Sequence, residues 1–418
     1  MSSDNITSET AHQDTPEFAQ GNGFDRGSGP DNRGPIPNTL TTQAFQTLQE
    51  LEGLRPAWDA LLEAYLQSTI FSSWEWLSSW WRAFGEGGRL RVVAVRDPSS
   101  TLVAIAPFAI SDMKSLGSNW RVLRLMGDGT HDSDNLDMPV QPGREKQVTR
   151  LLLEWLLQSR EWDICQLNTM PADSAVGREL LSVLNTRGWR VFTSTRPQTV
   201  IELPATWEAY LKLLSSKERS KVGLRLRRLE KKYRVEICKC HEAGELESAL
   251  HSLYELHRKH WRLRGLTGTL HLPARQGFYH ELANLLLAGN HLDFWLLKAN
   301  DKIVAAQFGL RYGNTVFSLQ EGFDPEYAAD SVGYVLRSQV LKSLINEGIR
   351  KYDFLGGTDE SKVRWGAVVR SYVNLEFARP RSRGALYLFL KQKSAAAKAT
   401  IREHLPSVVL RGLKRLRA

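Results

Sequence analysis

Residues 291–323, HLDFWLLKANDKIVAAQFGLRYGNTVFSLQEGF, decide the fold that this sequence predicts. Apolar runs rich in Val, Ile, Leu and Phe follow one another here, and Asn300-Asp301 marks a tight turn, which is typical of an antiparallel meander. The chain then continues into the helical pattern GYVLRSQVLKSLINEG and the strand-like run KYDFLGG. A meander that is followed by a helix and a further strand predicts a mixed α/β unit.

The first half of the chain repeats this order of elements. The runs RLRVVAVRD and TLVAIAPFAIS flank the turn Asp97-Pro98-Ser99-Ser100, and the helix EKQVTRLLLEWLLQS leads into the strand WDICQLNTM. Asp163 and Asp353 occupy corresponding places in the two halves. We therefore predict an α/β (α+β) fold of two tandem domains, each with a mixed, mostly antiparallel central sheet flanked by helices. Chance similarity between mixed α/β patterns is the alternative.

Length and composition favour two globular domains with tails. A chain of 418 residues with 42% hydrophobic and 24% charged residues exceeds what one compact core usually serves and has the composition of a globular protein. The predicted segments are a disordered tail over 1–38, domains over 39–200 and 201–380, and a basic amphipathic tail over 381–418. The stretch AFQTLQELEGLRPAWDALLEAYL, before the first hairpin, is predicted to be helical.

The sequence predicts a cytoplasmic protein without a metal site. No apolar run reaches the roughly 18 residues of a membrane span, and the N-terminus has no basic patch followed by an apolar stretch. The cysteines Cys165, Cys238 and Cys240 lack the spacing of a zinc site, so we expect reduced structural thiols.

Positive charge is concentrated in two segments. The net charge is +9, and the predicted helix over 217–234 contains nine bases and two acids. Lys221, Arg225 and Arg228 share one face of that helix, which could bind CoA phosphates, a nucleotide-linked sugar, a lipid phosphate or tRNA, or could simply be solvated. Residues 379–418 contain eleven bases and one acid among short apolar runs. That pattern predicts peripheral contact with an anionic membrane at its inner face, with a docked or disordered tail as the alternative.

The segment DPEYAADSVGYVLRSQVL contains a candidate phosphate site. Ser331 is placed to cap a helix whose first turn includes Val332, Gly333 and Tyr334. A helix N-terminus offers unpaired N–H groups and a partial positive charge, and both favour phosphate oxygens. An ordinary capped helix is the alternative, since one glycine is much weaker than a glycine-rich fingerprint.

A second candidate lies in KYDFLGGTDESKVRWG, where a strand runs into a glycine turn and a polar loop. Functional side chains are often found on loops at strand ends. Lys362 and Arg364 could hold a carboxylate or phosphate there, and Trp365 could form a pocket wall. A solvated β-turn is the alternative.

From about Phe71 to Ala378 the chain resembles the CelD/BioF-like acetyltransferase family of the GNAT superfamily, a relative of the FemAB-type aminoacyl transferases. The likeness rests on the following motifs: FSSWEWLSSWW, LVAIAPF, KERSKVGLRLRRLEKKY, ELHRKHW, KIVAAQFGL, DSVGYVLRSQVL and DFLGGTDESKVRWG. The last block is the most specific, with Asp353, Phe354, Gly356, Lys362 and Trp365 at matching positions. The sequence departs from the common GNAT pattern because only Gly333 stands where several glycines usually precede the helix.

The resemblance implies a transfer reaction with acetyl-CoA or another acyl-CoA as co-substrate. The acceptor would be an amine or hydroxyl of a sugar, a polysaccharide precursor or a small polar metabolite. Ser331, Val332, Gly333 and Tyr334 would bind the pyrophosphate. Candidates for catalysis are Glu321, Asp353 and Lys362, with Glu321 and Asp353 as possible general bases. Candidates for substrate contact are His257, His260, Gln307, Trp365 and Arg225.

Each of these residues could instead have a purely structural role, and the reaction itself has alternatives. Asp353 could be a core hydrogen-bonding group, and His260 could be a residue of the helix surface. The basic helix also allows Fem-like transfer of an aminoacyl group from tRNA. A third reading is a non-catalytic protein of exopolysaccharide assembly that keeps the fold without turnover.

Overall fold

The structure is a computed structural model that describes residues 40–65, 67–130, 132–263 and 265–404. The predicted disordered tail over 1–38 and the last part of the basic tail, from residue 405, lie outside the described residues. None of the helices found among the described residues has the length and apolar character needed to traverse a bilayer.

Twelve strands of the described chain form one sheet. They are β1 Thr41–Phe45, β2 Arg89–Arg96, β3 Leu102–Ser115, β4 Ser118–Leu125, β5 Ile164–Pro171, β6 Val191–Glu202, β7 Val235–Lys239, β8 Leu292–Ala299, β9 Lys302–Tyr312, β10 Thr315–Phe323, β11 Lys351–Gly356 and β12 Val368–Phe377. Their spatial order is β1-β2-β3-β4-β5-β12-β6-β11-β10-β9-β8-β7.

Helices cover the two faces of this sheet. They are α1 Leu48–Glu52, α2 Arg55–Ala64, α3 Trp74–Phe84, α4 Glu145–Gln158, α5 Ala175–Thr186, α6 Trp207–Leu213, α7 Ser216–Glu230, α8 Ala243–Arg262, α9 Pro273–Ala288, α10 Val332–Asn346, α11 Glu360–Val363 and α12 Arg383–His404. Single 3₁₀ turns occur at Ile70–Ser72 and Pro325–Tyr327.

The predicted fold class is confirmed. Two pairs of strands run parallel, β4 with β5 and β10 with β11, and the other neighbouring strands are antiparallel. Each parallel pair is joined by a helix, α4 in the first half and α10 in the second. The repeat that the sequence suggested is therefore visible as two strand–helix–strand units in corresponding places.

The two halves exchange their last strands. β12 of the second half lies between β5 and β6, and β6 of the first half lies between β12 and β11. β6 and β12 pair over ten residues, from Val191↔Phe377 to Val200↔Val368. The division at residue 200 stays a prediction, and that position falls inside β6.

The predicted helix that starts at Ala44 is wrong in its first residues. Ala44 and Phe45 belong to β1, which pairs with β2 from Thr41↔Arg96 to Phe45↔Val92. Helical structure begins after Thr47, whose side-chain oxygen accepts from the Glu50 N–H. Pairing with the edge of a sheet, which local periodicity does not reveal, decides the conformation of these residues.

Strand alternation divides the second half into two packed layers. Val316 and Tyr352 point toward a core that includes α10, whereas Phe317 points toward the core shared with the first half. α3 completes that shared core, because Ser73 caps it and Trp76 is buried against Phe71 and Phe278 at ring centroid distances of 4.7 and 5.3 Å. The site described below lies where these two layers meet.

We expect Gly322→Ala to destabilise the fold, because β10 and α8 approach closely at Gly322. A Cβ atom there would lie 2.7 Å from the backbone nitrogen of His257 and 2.9 Å from the carbonyl carbon of Leu256. The free energy of unfolding, measured by urea denaturation, should fall by about 1–3 kcal/mol.

The matched control is Gly277→Ala in α9, where nothing lies within 4 Å of the added atom. That substitution should leave stability unchanged or raise it by about 1 kcal/mol. Equal effects of the two substitutions would contradict the close packing of β10 on α8.

Candidate functional site

Among the described residues, the first backbone N–H groups of α10 have no hydrogen-bond acceptor. Ser331 takes the N-cap position, as predicted, but its φ of 59° and ψ of 39° are left-handed and its side chain makes no capping hydrogen bond. The first helical bond runs from the Val335 N–H to the Ser331 carbonyl, at 3.0 Å. The N–H groups of Val332, Gly333 and Tyr334 therefore lack a helical acceptor and form a partial positive charge.

These groups line a cavity of about 320 Å³. The cavity brings together nine of the predicted site residues, namely Arg225, His260, Gln307, Glu321, Ser331, Val332, Gly333, Tyr334 and Trp365. Their clustering was not evident from their positions in the chain, which lie on five separate elements (α7, α8, β9, β10 and α10 with its N-cap) and in the turn after α11. Their functional roles stay predictions.

Divergence of β10 from β11 creates this cavity. The two strands pair only from Thr315↔Lys351 to Phe317↔Asp353. Beyond that point β10 continues along β9 with an irregularity between Ser318 and Gln320, and β11 follows β6. Residues 321–323 of β10 line one side of the cavity, and Ser361, Arg364 and Trp365 line it from beyond β11.

Aromatic and cationic groups form the cavity wall. The Tyr334 ring lies 4.4 Å from the Trp365 ring, and the Arg225 guanidinium lies 4.1 Å from the centre of the Tyr334 ring. Arg337 and Arg364 also line the cavity, and the acid Glu321 forms an ion pair with Arg337. The lining thus has an excess of positive charge, which suits a ligand that carries phosphate groups.

Gln307 adds a buried hydrogen-bond donor to the lining of the cavity. Its side chain is 1% exposed and lines the cavity, yet its amide nitrogen Nε2 has no hydrogen-bond partner within the described part of the chain. Leaving a buried donor unpaired costs about 1–3 kcal/mol, so such groups are rare in folded proteins. A ligand carbonyl would supply the acceptor that this amide lacks.

The structure places the predicted substrate contact His257 away from the cavity. His257 is buried, and its Nε2 accepts a hydrogen bond from the Trp261 indole at 2.7 Å. Burial lowers the pKa of His257 to about 4, so the ring is neutral at physiological pH. His260, three residues later, lines the cavity and lies 4.7 Å from the Phe323 ring. His257 therefore lies outside the cavity that His260 lines, and substrate contact by either residue stays a prediction.

Lys362 is not one of the residues that line the cavity. Its ammonium group donates to the carbonyl oxygens of Phe354 at 3.0 Å and Gly356 at 2.6 Å. Burial lowers the pKa of Lys362, and the nearby Asp359 and Asp134 oppose that shift. The side chain thus holds the turn that follows β11.

Asp353 faces a second cavity, of about 410 Å³, on the opposite face of the sheet. The buried carboxylate accepts from the Gln198 amide at 2.5 Å and from the Leu355 N–H at 2.7 Å. Burial raises the pKa of Asp353 from its ordinary value of 3.8 to about 6, although both hydrogen bonds lower it. Asp353 is the last residue of β11 that pairs with β10, so it stands where the strands begin to separate.

The lining of this second cavity is polar and comes from both halves. Loop residues 67–69 and 171–173 of the first half close it over β6, β11 and β12. Hydroxyl, amide and charged groups contribute from Ser68, Thr69, Asn135, Asp173, Gln198, Thr315, Lys351, Arg370 and Ser371. Such a lining favours a hydroxyl-rich or amine-bearing molecule over an apolar one.

The sequence analysis did not predict that the acidic residues between 132 and 137 are buried. Asp132, Asp134 and Asp137 are buried, although the residue types of THDSDNLDMPVQPG indicate only a polar loop. Asp132 accepts from the Tyr279 hydroxyl at 3.1 Å and forms an ion pair with Arg275, and Asp134 accepts from the Gly356 N–H at 2.8 Å. The available signal was the density of acids in so short a segment, which is unusual for a simple connection.

Asp137 joins segments of the first half. It accepts from the Tyr65 hydroxyl at 2.6 Å and from the Ser174 hydroxyl at 2.7 Å, and burial raises its pKa to about 6. Among the residues that the structure describes, no group of three or more His, Cys, Asp and Glu side chains is arranged to hold a metal ion.

Comparisons with known proteins agree with this architecture. The family described as "Acetyltransferase (GNAT) domain" matches residues 216–363, which include α7, α10 and most of the residues that line the cavity between β10 and β11. No curated protein sequence matches the chain. The structure of FemX aligns with a TM-score of 0.57 and 12% identity, over 81% of this chain and 97% of FemX. That likeness spans both halves and shows a shared fold.

Two further structures align more weakly. A conserved protein of unknown function from Bacteroides thetaiotaomicron has 15% identity and a TM-score of 0.49, over 78% of this chain and 97% of its own. A tandem GNAT protein from the clavulanic acid biosynthesis pathway has 10% identity and a TM-score of 0.41, over 81% of this chain and 98% of its own.

The raised pKa of Asp353 predicts a pH-dependent cost of keeping its charge buried. The folded state holds the proton more tightly than the unfolded state, so the stability from this group is present below about pH 4 and is lost as the pH rises through about 6. When the pH is raised from about 4.5 to about 7.5, the unfolding free energy of Asp353→Asn should therefore increase by about 2–3 kcal/mol relative to that of the wild type. Urea denaturation at both pH values measures this difference.

Asp173→Asn is the matched control, because Asp173 is an exposed acid on the rim of the same cavity. Its stability relative to the wild type should not change between the two pH values. If the stability of Asp353→Asn relative to the wild type is also the same at both pH values, the Asp353 carboxylate is not buried.

Proposed function

We propose that this chain is an acyltransferase that takes an acyl group from acetyl-CoA or another acyl-CoA and transfers it to an amine or hydroxyl. The acceptor would be a small polar molecule such as a sugar or a polysaccharide precursor, as the CelD/BioF-like resemblance implies. The observation that carries the proposal is the uncapped N-terminus of α10, which opens into a cationic cavity between diverging strands. The match to an acetyltransferase domain over the same residues supports it.

The donor would bind in the cavity between β10 and β11. The N–H groups of Val332, Gly333 and Tyr334 would bind the pyrophosphate, because a helix N-terminus stabilises negative charge. Arg225 and Arg364 would attract the remaining phosphate oxygens. The Gln307 amide nitrogen, which has no partner among the residues that the structure describes, would donate to a carbonyl of the acyl-pantetheine arm.

The acceptor would approach from the polar cavity on the other face. Asp353 lies at the apex of the diverging strands and faces that cavity, so its carboxylate is our candidate for the general base. It would take the proton from the amine or hydroxyl as the nucleophile attacks the thioester carbonyl, and the CoA thiolate would leave. Holding both reactants at one apex supplies most of the rate advantage of such a transfer.

Glu321 and Lys362 would have other roles. The Glu321 carboxylate is exposed and ion-paired with Arg337, so acting as a base would require that pair to open. Lys362 would be a positioning residue, since its ammonium holds the carbonyl groups of Phe354 and Gly356 at the end of β11. A change at Lys362 would therefore displace the strand that carries Asp353.

Aminoacyl transfer from tRNA is the second candidate. The shared fold with FemX and the exposed arginines of α7, such as Arg227 and Arg228, favour it. Protection by aminoacyl-tRNA and not by CoA, with an affinity that falls steeply with salt, would support this reading. A non-catalytic binding protein would instead bind its ligand and release no product from any acyl donor.

Gly333→Asp is expected to weaken donor binding. The new carboxylate would stand among the unpaired N–H groups and repel the phosphates, so the Kd for acetyl-CoA should rise about tenfold or more. Isothermal titration calorimetry with acetyl-CoA, and with bulk tRNA in parallel, measures the effect.

Gly333→Ala is the control for added bulk. A Cβ atom at this position would lie 3.5 Å from Cδ1 of Phe323, which is an ordinary contact, so acetyl-CoA should bind Gly333→Ala nearly as well as the wild type. If acetyl-CoA binds Gly333→Asp with unchanged affinity, the donor site lies elsewhere. If tRNA binds and acetyl-CoA does not, the aminoacyl reading replaces the proposal.

Asp353→Asn is expected to abolish transfer while leaving the donor cavity intact. With acetyl-CoA and a panel of amino sugars and amines, kcat should fall about 10²–10⁴-fold, because a general base contributes roughly that factor. The wild-type rate should rise with pH around 6, since the carboxylate must be ionised to accept a proton, and the variant should lose that limb. Release of free CoA thiol measures the rate.

Glu321→Gln serves as the comparison variant, because Glu321 is the other candidate base and lines the donor cavity. It should retain most of kcat and the pH limb. The opposite pattern, with activity lost in Glu321→Gln and retained in Asp353→Asn, would assign the base to Glu321 and overturn the role of Asp353.

A further inference from the structure

α12 is attached to the body of the protein through one face. Its Tyr387 ring lies 4.6 Å from the Trp120 ring at the end of the β3–β4 hairpin, and the Tyr387 hydroxyl donates to Ser115 at 3.1 Å. Leu388, the next residue, is also buried. These contacts fix the direction in which the opposite face of the helix points, because side chains around a helix follow its 3.6-residue period.

That opposite face presents leucines to solvent. Leu386 is 59% exposed and Leu390, one turn further, is 48% exposed. A surface helix normally turns polar side chains outward, so two neighbouring exposed leucines on its outer face are a sign of an unfilled contact.

Cationic side chains surround these leucines. A shallow groove of about 640 Å³ beside α12 is lined by Arg190, Arg381, Leu386 and Phe389, and the Arg190 guanidinium lies 4.7 Å from the Phe389 ring. Within the described ranges, neither Arg190 nor Arg381 has a carboxylate partner. By contrast, Arg383 and Lys391 on the same helix are paired with Asp163 and Glu376.

The sequence beyond α12 continues the same character. Residues 405–418, LPSVVLRGLKRLRA, contain four bases and no acid, with apolar residues between the bases.

We propose that the outer face of α12 and the adjoining arginine-lined groove form a docking surface for a membrane of anionic phospholipid. The charges would attract the headgroup phosphates, and Leu386 and Leu390 would enter the boundary between headgroups and acyl chains. A nucleic acid would use the arginines but would gain nothing from exposed leucines, whereas a lipid surface uses both. The surface is separate from the donor and acceptor cavities, so it stands independently of the proposed reaction.

Flotation of the full chain with vesicles tests this surface. Vesicles of phosphatidylcholine with phosphatidylglycerol should capture the protein, and vesicles of phosphatidylcholine alone should not. Capture should decline as salt is raised, because screening shortens the range of the attraction. The double variant Leu386→Ser with Leu390→Ser should lower the partition coefficient at least tenfold, and Arg190→Glu with Arg381→Glu should do the same.

Leu263→Ser is the matched control, since Leu263 follows α8 and is 67% exposed. It should leave vesicle capture unchanged. Unchanged urea midpoints would show that the variants are folded, as expected for exposed positions.

Three results would overturn the proposal. The first is equal capture by neutral and anionic vesicles, and the second is capture that none of the four α12 and groove substitutions reduces. The third is a protein that no vesicle captures and that binds bulk tRNA at the same salt, with tRNA binding lost in Arg190→Glu with Arg381→Glu, which would assign the cationic surface to nucleic acid.

Discussion

The antiparallel pairing of β6 with β12 is the interaction on which the rest of the structure depends. Ten residues of each strand are in register, and the two strands come from different halves of the chain. β6 also pairs with β11, and its last pair, Gln198↔Gly356, lies three residues beyond Asp353, where β11 has already left β10. Beyond the divergence that opens the donor cavity, β11 thus pairs with a strand contributed by the first half. Neither half contains all the pairing that the site requires.

Buried acids of residues 132–137 add a second link between the halves. Taking a carboxylate out of water is costly unless charged or hydrogen-bonding partners replace the water. Arg275 and Tyr279 of α9 meet that need for Asp132, and the Gly356 N–H meets it for Asp134. Gly356 belongs to the same turn that Lys362 holds from the other side. The end of β11 is therefore fixed by groups from both halves, which keeps Asp353 in one orientation.

The local sequence pattern is sufficient to predict the helices and strands that carry the site. It does not predict which face of each element points into the cavity. The meander, α10 and β11 follow from periodicity and turn residues that lie next to one another in the sequence. β7, β12 and the strand conformation of Ala44 and Phe45 depend on distant partners, and no such pairing is visible locally. His257 and His260 are three residues apart on α8, so sequence placed them together. In the structure, His257 is buried in the core and His260 lines the cavity.

The exchange of strands also constrains how the protein is made. When β5 and β6 leave the ribosome, the strand that belongs between them has not been synthesised, so both present open edges. Translation of the intervening chain takes on the order of ten seconds or more at 5–20 residues per second. Throughout that interval the first half exposes an unfilled slot in its sheet, which is a site for mispairing with another nascent chain. Closure of the slot therefore has to wait until β12 has been synthesised.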